Sequence, residues 1–152
     1  MKRIVISAVI VACSAMLAAA QPARAPYEPG LGEFMMATQL RHAKLWFAGK
    51  NNNWALAAYE VDEIKEGLED AAKYHASNDG VPVAELIKAL IDPRLEQLEK
   101  AIEGKSSTQF AAAFDELTNG CNSCHAKAGK GFIRIQRPTT PPVGNQNFTP
   151  AK

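Results

Sequence analysis

The sequence predicts an all-α protein, an up-down-up-down four-helix bundle followed by an extended, proline-rich tail. Apolar residues recur at intervals of three and four in four separate stretches, the spacing of one helix face. Short segments rich in Gly, Asn and Ser separate these stretches, and short connections favour antiparallel neighbours. We expect three regions: a leader at 1–25, the bundle at 26–128 and the tail at 129–152.

The leader has the three parts of a secretory signal peptide. Lys2 and Arg3 supply a positive start, residues 4–20 are mostly apolar or small, and residues 23–25 form an A-x-A cleavage site. The apolar run is short for a membrane span, which needs about 20 residues. A lipobox-like segment ending at Cys13 offers lipid anchoring as the alternative to ordinary cleavage. We therefore expect a periplasmic protein, attached to the membrane only if Cys13 is lipidated.

The first two helices are predicted at 31–48 and 54–76, separated by Gly49 and an Asn-rich turn. On the first helix an apolar stripe predicts the core positions, and a second row of residues flanks it. On the second helix the face opposite the apolar stripe is acidic and is expected to be solvated. The first stripe is Met36, Leu40, Ala43 and Phe47, its flank is Met35, Gln39, His42 and Trp46, and the acidic face is Glu60, Glu63, Glu66, Glu69 and Asp70.

The third helix is predicted to begin at Pro82, because the first turn of a helix tolerates a residue without an N–H. Its apolar positions continue to Ile102, but Pro93 interrupts them. A proline inside a helix removes a backbone hydrogen bond and clashes with the preceding turn. We therefore expect a kink at Pro93, or a new helix with Asp92 as its N-cap.

The fourth helix is predicted at 108–128, after a capping segment at 104–107. Its apolar face continues through two cysteines and consists of Phe110, Ala113, Phe114, Leu117, Cys121, Cys124 and Ala128. Four prolines preclude regular structure in the tail. The apolar residues Phe132, Ile133 and Ile135 predict that part of the tail packs on the bundle.

The strongest functional signal is the segment Cys121-Asn122-Ser123-Cys124-His125, which reads C-x-x-C-H. In c-type haem proteins two such thiols form thioethers with the porphyrin, and the adjacent histidine ligates the iron. A redox disulfide and half of a zinc site are the alternatives. The zinc site lacks further cysteines outside the leader, and the disulfide lacks a βαβ context. We expect one covalent haem c on Cys121 and Cys124, with His125 as an iron ligand.

A C-x-x-C-H motif on the last helix of a four-helix bundle resembles the class II c-type cytochromes, the cytochrome c-prime group. The resemblance covers the mature helical region and implies that His125 is the proximal ligand. Low-spin members of the group use a methionine of the first helix as sixth ligand, whereas high-spin members leave that position open and bind small gases. Bundles of the group often form homodimers through their first two helices. The long tail departs from the usual pattern, and residues 39–47 look like a less familiar set of small exported cytochrome-like proteins.

Three residues of the first helix are candidates for the sixth ligand. Met35 and Met36 open this helix, at the end that an antiparallel bundle places beside the end of the fourth helix. A core methionine is more often a packing residue than a ligand, but the resemblance calls for a methionine here. Met35 is favoured because a residue at the edge of the stripe can reach a haem beside the helix. Met36 and His42 are the alternatives.

The charges of the mature chain indicate which kinds of partner it is expected to bind. It has 14 basic and 16 acidic side chains, a formal charge of −2, which gives no sign of nucleic-acid binding. After Glu116 the chain carries no acid. This basic end predicts a docking surface for an acidic redox partner. Its charged residues are Lys127, Lys130, Arg134, Arg137 and Lys152.

The sequence therefore predicts a periplasmic monohaem cytochrome that transfers single electrons by cycling between Fe(III) and Fe(II). Two alternatives remain: a five-coordinate protein that binds NO or CO, and a haem-bearing accessory subunit of a larger oxidoreductase. We do not expect an enzyme, because the sequence contains no arranged acid–base pair or nucleophile–base motif.

Overall fold

The computed structural model describes residues 27–151 and consists of five helices in this range. The predicted all-α class is confirmed. The predictions of a signal peptide at 1–25 and of a lipidation site at Cys13 lie outside the described residues. The helices are α1 (Leu31–Lys50), α2 (Trp54–Tyr74), α3 (Val83–Leu90), α4 (Asp92–Glu103) and α5 (Ser107–Lys127).

Short polar side chains begin two of these helices. The side chain of Asn53 caps α2 by accepting a hydrogen bond from the backbone N–H of Leu56, at 3.2 Å. Ser106 caps α5 in the same way and accepts from the N–H of Gln109 at 3.3 Å. Each cap satisfies a backbone donor that has no partner within the helix. The predicted capping segment before the last helix is thus confirmed.

Pro93 divides the predicted third helix into α3 and α4, with Ile91 between them. The N–H of Ile91 still bonds to the carbonyl of Ile87, at 2.8 Å. Pro93 cannot make the next bonds of the ladder because it has no N–H. The N-cap of α4 is Ile91, and Asp92 is the first helical residue. The predicted break is confirmed, whereas the assignment of Asp92 as N-cap is wrong by one residue.

Helix α1 runs antiparallel to α5. The rings of Trp46 and Phe114 have centroids 5.0 Å apart, and His42 Nε2 lies 2.9 Å from Thr118 Oγ1. Four residues toward the start of α1 therefore correspond to four residues toward the end of α5. These contacts, with those of α1 to α2 and of α4 to α5, are compatible with the predicted helical bundle.

The α1–α2 interface contains a buried carboxylate that corrects one prediction. Glu60 belongs to the acidic face that we expected to be solvated, but its side chain is 0% exposed. Lys44 Nζ lies 2.7 Å from one carboxylate oxygen and Arg41 lies 3.2 Å from the other, while Arg41 also contacts Glu63 at 2.6 Å. A buried charge is tolerated when it is paired. Two cations of α1 are thus committed to this network.

The buried face of α1 also differs from the predicted stripe. Met36 is 69% exposed and Leu40 is 43% exposed, although both were expected in the core. Met35, His42 and Trp46, predicted on the flank, face the interior instead. The apolar spacing placed His42 on the flank because it contains no information on the hydrogen bond that allows a histidine into the core. His42 is buried and hydrogen-bonded to Thr118.

Aromatic side chains close one end of the bundle. Trp46, Trp54, Phe110 and Phe114 pack with neighbouring ring centroids 5.0–6.2 Å apart. Gly49 allows α1 to approach this cluster, because a Cβ at position 49 would overlap the ring of Phe110. The rings leave no room between α1 and α5 at this end of the bundle.

Gly49→Ala is expected to lower the free energy of unfolding by about 1–3 kcal/mol, the usual cost of overpacking a filled core. Phe110 is 1% exposed and cannot swing away from the added methyl group. Urea unfolding followed by circular dichroism measures the change. Gly67→Ala is the matched control within α2, because its Cβ would meet only Thr38 Oγ1, at 3.6 Å. Equal destabilisation by both substitutions would contradict the role assigned to Gly49.

The tail returns along the bundle after α5, but Phe132 and Ile133, two of the three apolar residues predicted to pack there, are 79% and 43% exposed. Arg137 forms two hydrogen bonds with the carboxylate of Asp115 on α5, at 3.1 and 2.6 Å. Further on, Phe148 is buried against Phe47, with ring centroids 5.7 Å apart. The side chain of Asn53 donates to a tail carbonyl at position 149, at 3.1 Å. In the described part of the chain, no helix combines the length and apolar character needed to cross a membrane.

Candidate functional site

The end of the bundle opposite the aromatic cluster contains a partly open cavity of about 500 Å³. Helices α1, α2, α3 and α5 and the start of the tail form its walls, which are largely aliphatic. Ile64, Leu68, Ile87 and Leu117 are among the lining residues. Small-molecule and cofactor sites typically have volumes of about 300–1,000 Å³ and apolar walls with a few polar groups. The cavity therefore has the size and lining of such a site.

All six residues that the sequence singled out line this one cavity. Cys121, Cys124 and His125 come from the last turns of α5. The three candidates for a sixth ligand, Met35, Met36 and His42, come from α1. The two sets meet because α1 and α5 are antiparallel, so that the start of α1 lies beside the end of α5.

The two thiols are free, half-buried and three residues apart on α5. Burial, helped by the neighbouring thiol, raises the pKa of Cys121 to about 11. Burial also raises the pKa of Cys124. Redox-active C-x-x-C motifs depend on a lowered thiol pKa, since the thiolate is the nucleophile. The environment of these thiols is the opposite of the one that a catalytic disulfide requires.

His125 has a defined hydrogen-bond partner on one ring nitrogen. Its Nδ1 lies 3.0 Å from the backbone carbonyl oxygen of Ile133. A carbonyl oxygen can only accept, so Nδ1 carries the proton and donates it. The lone pair of the neutral ring is then on Nε2. Metal-binding histidines are commonly oriented by such a bond from the other nitrogen.

His42 lies deeper in the bundle and is 4% exposed. The hydroxyl group of Thr118 donates its hydrogen to the carbonyl of Phe114 at 2.9 Å. The hydroxyl oxygen Oγ1 of Thr118 therefore accepts from His42 Nε2–H, also at 2.9 Å. The ring of His42 packs on Phe114 with centroids 4.3 Å apart. Burial lowers the pKa of His42 to about 4. His42 is therefore a neutral imidazole whose Nε2 is already used.

The burial of His42 predicts a loss of stability in acid. The unfolded chain protonates this residue below about pH 6.5, whereas the folded protein does so only below about pH 4. Folding thus releases a proton in that window, and the stabilisation present above pH 6.5 is lost as the pH falls toward 4. The loss attributable to His42 should reach about 3 kcal/mol. Urea unfolding at a series of pH values, compared with His42→Gln, measures it. Parallel stability curves for the two proteins would contradict this assignment.

The two methionines occupy different positions in the cavity wall. The pairs His42–Thr118 and Trp46–Phe114 define the register of α1 against α5. Two further turns along both helices bring Met35 level with His125. Met35 is half-buried, whereas Met36 is largely exposed at the cavity margin.

Four residues have roles in or near the site that the sequence analysis did not predict. Thr118 lies one turn before Cys121 and was not included in the predicted apolar face, although its spacing could have marked it as a partner for a polar group. Ile133 contributes through its backbone carbonyl, which no side-chain pattern reveals. Lys130 lines the cavity and adds a positive charge to it. Arg137, predicted as part of a basic docking surface, is paired with Asp115.

Among residues 27–151, no three His, Cys, Asp or Glu side chains come together in a way that could hold a metal ion. Comparison with protein-family models, with curated proteins and with solved structures gives no match.

Proposed function

We propose that this chain is an exported c-type cytochrome of the class II kind, which carries one haem and transfers single electrons. The observation that carries the proposal is the meeting of Cys121, Cys124 and His125 on one wall of an apolar cavity. A haem needs these two thiols for thioethers and a histidine nitrogen for its iron. The free lone pair on His125 Nε2 fits that role.

The residues around the cavity fit a haem. A bound haem supplies an iron that alternates between Fe(III) and Fe(II). Cys121 and Cys124 would hold the ring covalently on α5, and the aliphatic side chains of α2 and α3 would limit its contact with water. Lys130 would offer a cation to a propionate group. The apolar lining would tune the potential of the iron.

Met35 is the sixth ligand that we favour. Its half-buried side chain lies level with His125 across the cavity, whereas Met36 is mostly solvent-exposed. The Nε2 of His42 is held by Thr118, one turn deeper than Cys121. Ligation by His42 through that nitrogen would require breaking this buried hydrogen bond. A thioether ligand favours the reduced iron and raises the potential.

The proposed partner is a protein with an acidic docking surface, located with this chain in the periplasm. Lys127, Lys130 and Arg134 are exposed around the end of α5 and the start of the tail. These charges lie beside the cavity, where an electron would leave or enter. Attraction between opposite charges accelerates association and orients the two proteins.

An absorption spectrum of the purified holoprotein in both oxidation states tests this function. We expect sharp α and β bands on reduction and no change on addition of CO, because both axial positions are filled. A broad high-spin spectrum that shifts with CO would contradict electron transfer through a His/Met iron and favour a gas-binding protein. Absence of covalent haem from protein exported by a cell with a cytochrome c maturation system would contradict the haem assignment.

A further inference from the structure

We propose that the first part of the tail, residues 129–137, positions His125 by holding a backbone carbonyl against its Nδ1. We call this segment the strap. The role of the strap at an iron site rests on the proposed function, but its effect on the imidazole proton does not. Three sets of contacts on the described residues carry the inference.

The strap begins with a turn that reverses the chain at the end of α5. Gly129 has a φ of +70°, a conformation that favours glycine. The N–H of Lys130 donates to the carbonyl of His125 at 2.7 Å, and that of Gly129 donates to the carbonyl of Ala126 at 3.1 Å. This pair of bonds is the Schellman motif. It directs the following residues back along the same helix that carries the thiols.

Asn122 then fastens the strap to α5. Its side-chain nitrogen donates to the carbonyl of Ile135 at 2.9 Å, and its side-chain oxygen accepts from the N–H of Ile135 at 2.7 Å. Ile133 lies two residues before this clamp, and its carbonyl accepts from His125 Nδ1 at 3.0 Å. Asn122 and His125 are one helical turn apart, so the clamp fixes the carbonyl against the ring. Asn122 is therefore a positioning residue within the C-x-x-C-H segment.

A second attachment holds the far end of the strap. Arg137 makes two hydrogen bonds to Asp115 and lies over the ring of Trp46, with its guanidinium carbon 4.1 Å from the ring centroid. The carbonyl of Ile133 is thus held between the turn at Gly129 and two later attachments. A segment fixed on both sides cannot leave the imidazole without breaking several hydrogen bonds.

The strap determines which nitrogen of His125 is available. His125 lines the cavity, and donation of its Nδ1–H to a carbonyl keeps the lone pair on Nε2 and disfavours the other neutral tautomer. Such a bond also increases the basicity of the ligating nitrogen. A more basic ligand stabilises Fe(III) relative to Fe(II), so the strap lowers the reduction potential of the proposed cytochrome.

Two measurements on Asn122→Ala test the proposal. In the haem-free chain, nitrogen-15 NMR distinguishes the two neutral tautomers of His125. We expect the Nδ1–H form in the original chain and a large loss of that form in the variant. In the holoprotein we expect a higher reduction potential in the variant than in the original. Ser123→Ala is the matched control, because Ser123 donates only to the carbonyl of Asn119 within α5, at 2.8 Å.

A second variant, Gly129→Ala, perturbs the strap at its first turn and leaves the Asn122 side chain in place. Gly129→Ala strains the turn and should shift the tautomer and the potential in the same direction as Asn122→Ala. The same His125 tautomer and the same potential in both variants and the original would overturn the proposal, even if covalent haem is present. If the chain carries no haem but Asn122→Ala still changes the tautomer, the strap stands and the proposed function fails. Failure of the haem-free chain to fold leaves the potentials of the holoproteins to decide.

Discussion

Replacing both Cys121 and Cys124 with alanine is expected to abolish covalent haem attachment completely. Both thiols line the same cavity as His125, and residues 26–152 contain no other cysteine. Each single substitution should leave one thioether and one intact vinyl group. That vinyl group extends the conjugation of the ring, so the α band of the denatured, reduced haem should move to longer wavelength. Haem staining after denaturing electrophoresis and the mass of the intact chain measure attachment.

Ser123→Ala serves as the control for the cysteine variants. Ser123 lies between the two thiols but does not line the cavity. It should keep a full complement of haem and an unshifted α band. Haem that resists denaturation in the double cysteine variant would contradict the attachment site. Equal loss of haem in Ser123→Ala would show that the segment needs more than its thiols and histidine.

Met35→Ala is expected to convert a low-spin iron to a high-spin iron that binds CO. The reduction potential should fall by on the order of 0.1 V or more, since axial ligands tune haem potentials over about 0.8 V. The potential falls because the substitution removes a thioether ligand, which favours Fe(II). Met36→Ala should leave the spectrum and potential almost unchanged, because that side chain is mostly in solvent. Absorption spectra with and without CO, together with a redox titration, measure both variants.

The same measurements on His42→Gln test whether His42, and not Met35, is the sixth ligand. His42 donates to Thr118 and packs on Phe114, so we expect its replacement to change stability more than the spectrum. A high-spin spectrum in His42→Gln, with an unchanged spectrum in Met35→Ala, would assign the ligand to His42. Ligation through Nε2 would require the bond to Thr118 to break when the haem binds, whereas ligation through Nδ1 would leave that bond intact.

Helix α5 shows how much local pattern can predict. Its apolar spacing placed Phe110, Phe114 and Leu117 in the core, and all three are buried. The same spacing carried the face on to Cys121 and Cys124, which line the cavity. A regular amphipathic helix with large side chains on one face has a single favourable orientation. The sequence was sufficient here because apolar burial alone selects the face.

Helix α1 shows where this reasoning fails. Its interior face includes His42 and Gly49, whose roles depend on partners in α5. A histidine gains a place in the core only when a group such as Thr118 satisfies its hydrogen bond. Glu60 is a similar case, since its burial depends on two cations of α1. No count of apolar residues within one helix contains that information.

The features of the candidate site also fall into two groups, those that follow from the sequence alone and those that depend on the tertiary structure. The chain on its own specifies the two thiols, the adjacent histidine and a helical scaffold, because covalent spacing and helix periodicity are local properties. The alignment of Met35 with His125 and the burial of His42 follow from the register of two distant helices. The tautomer of His125 follows from a carbonyl eight residues later, held in place by Asn122. These features depend on backbone groups and on packing between elements, so they arise only when the tail and all the helices are assembled.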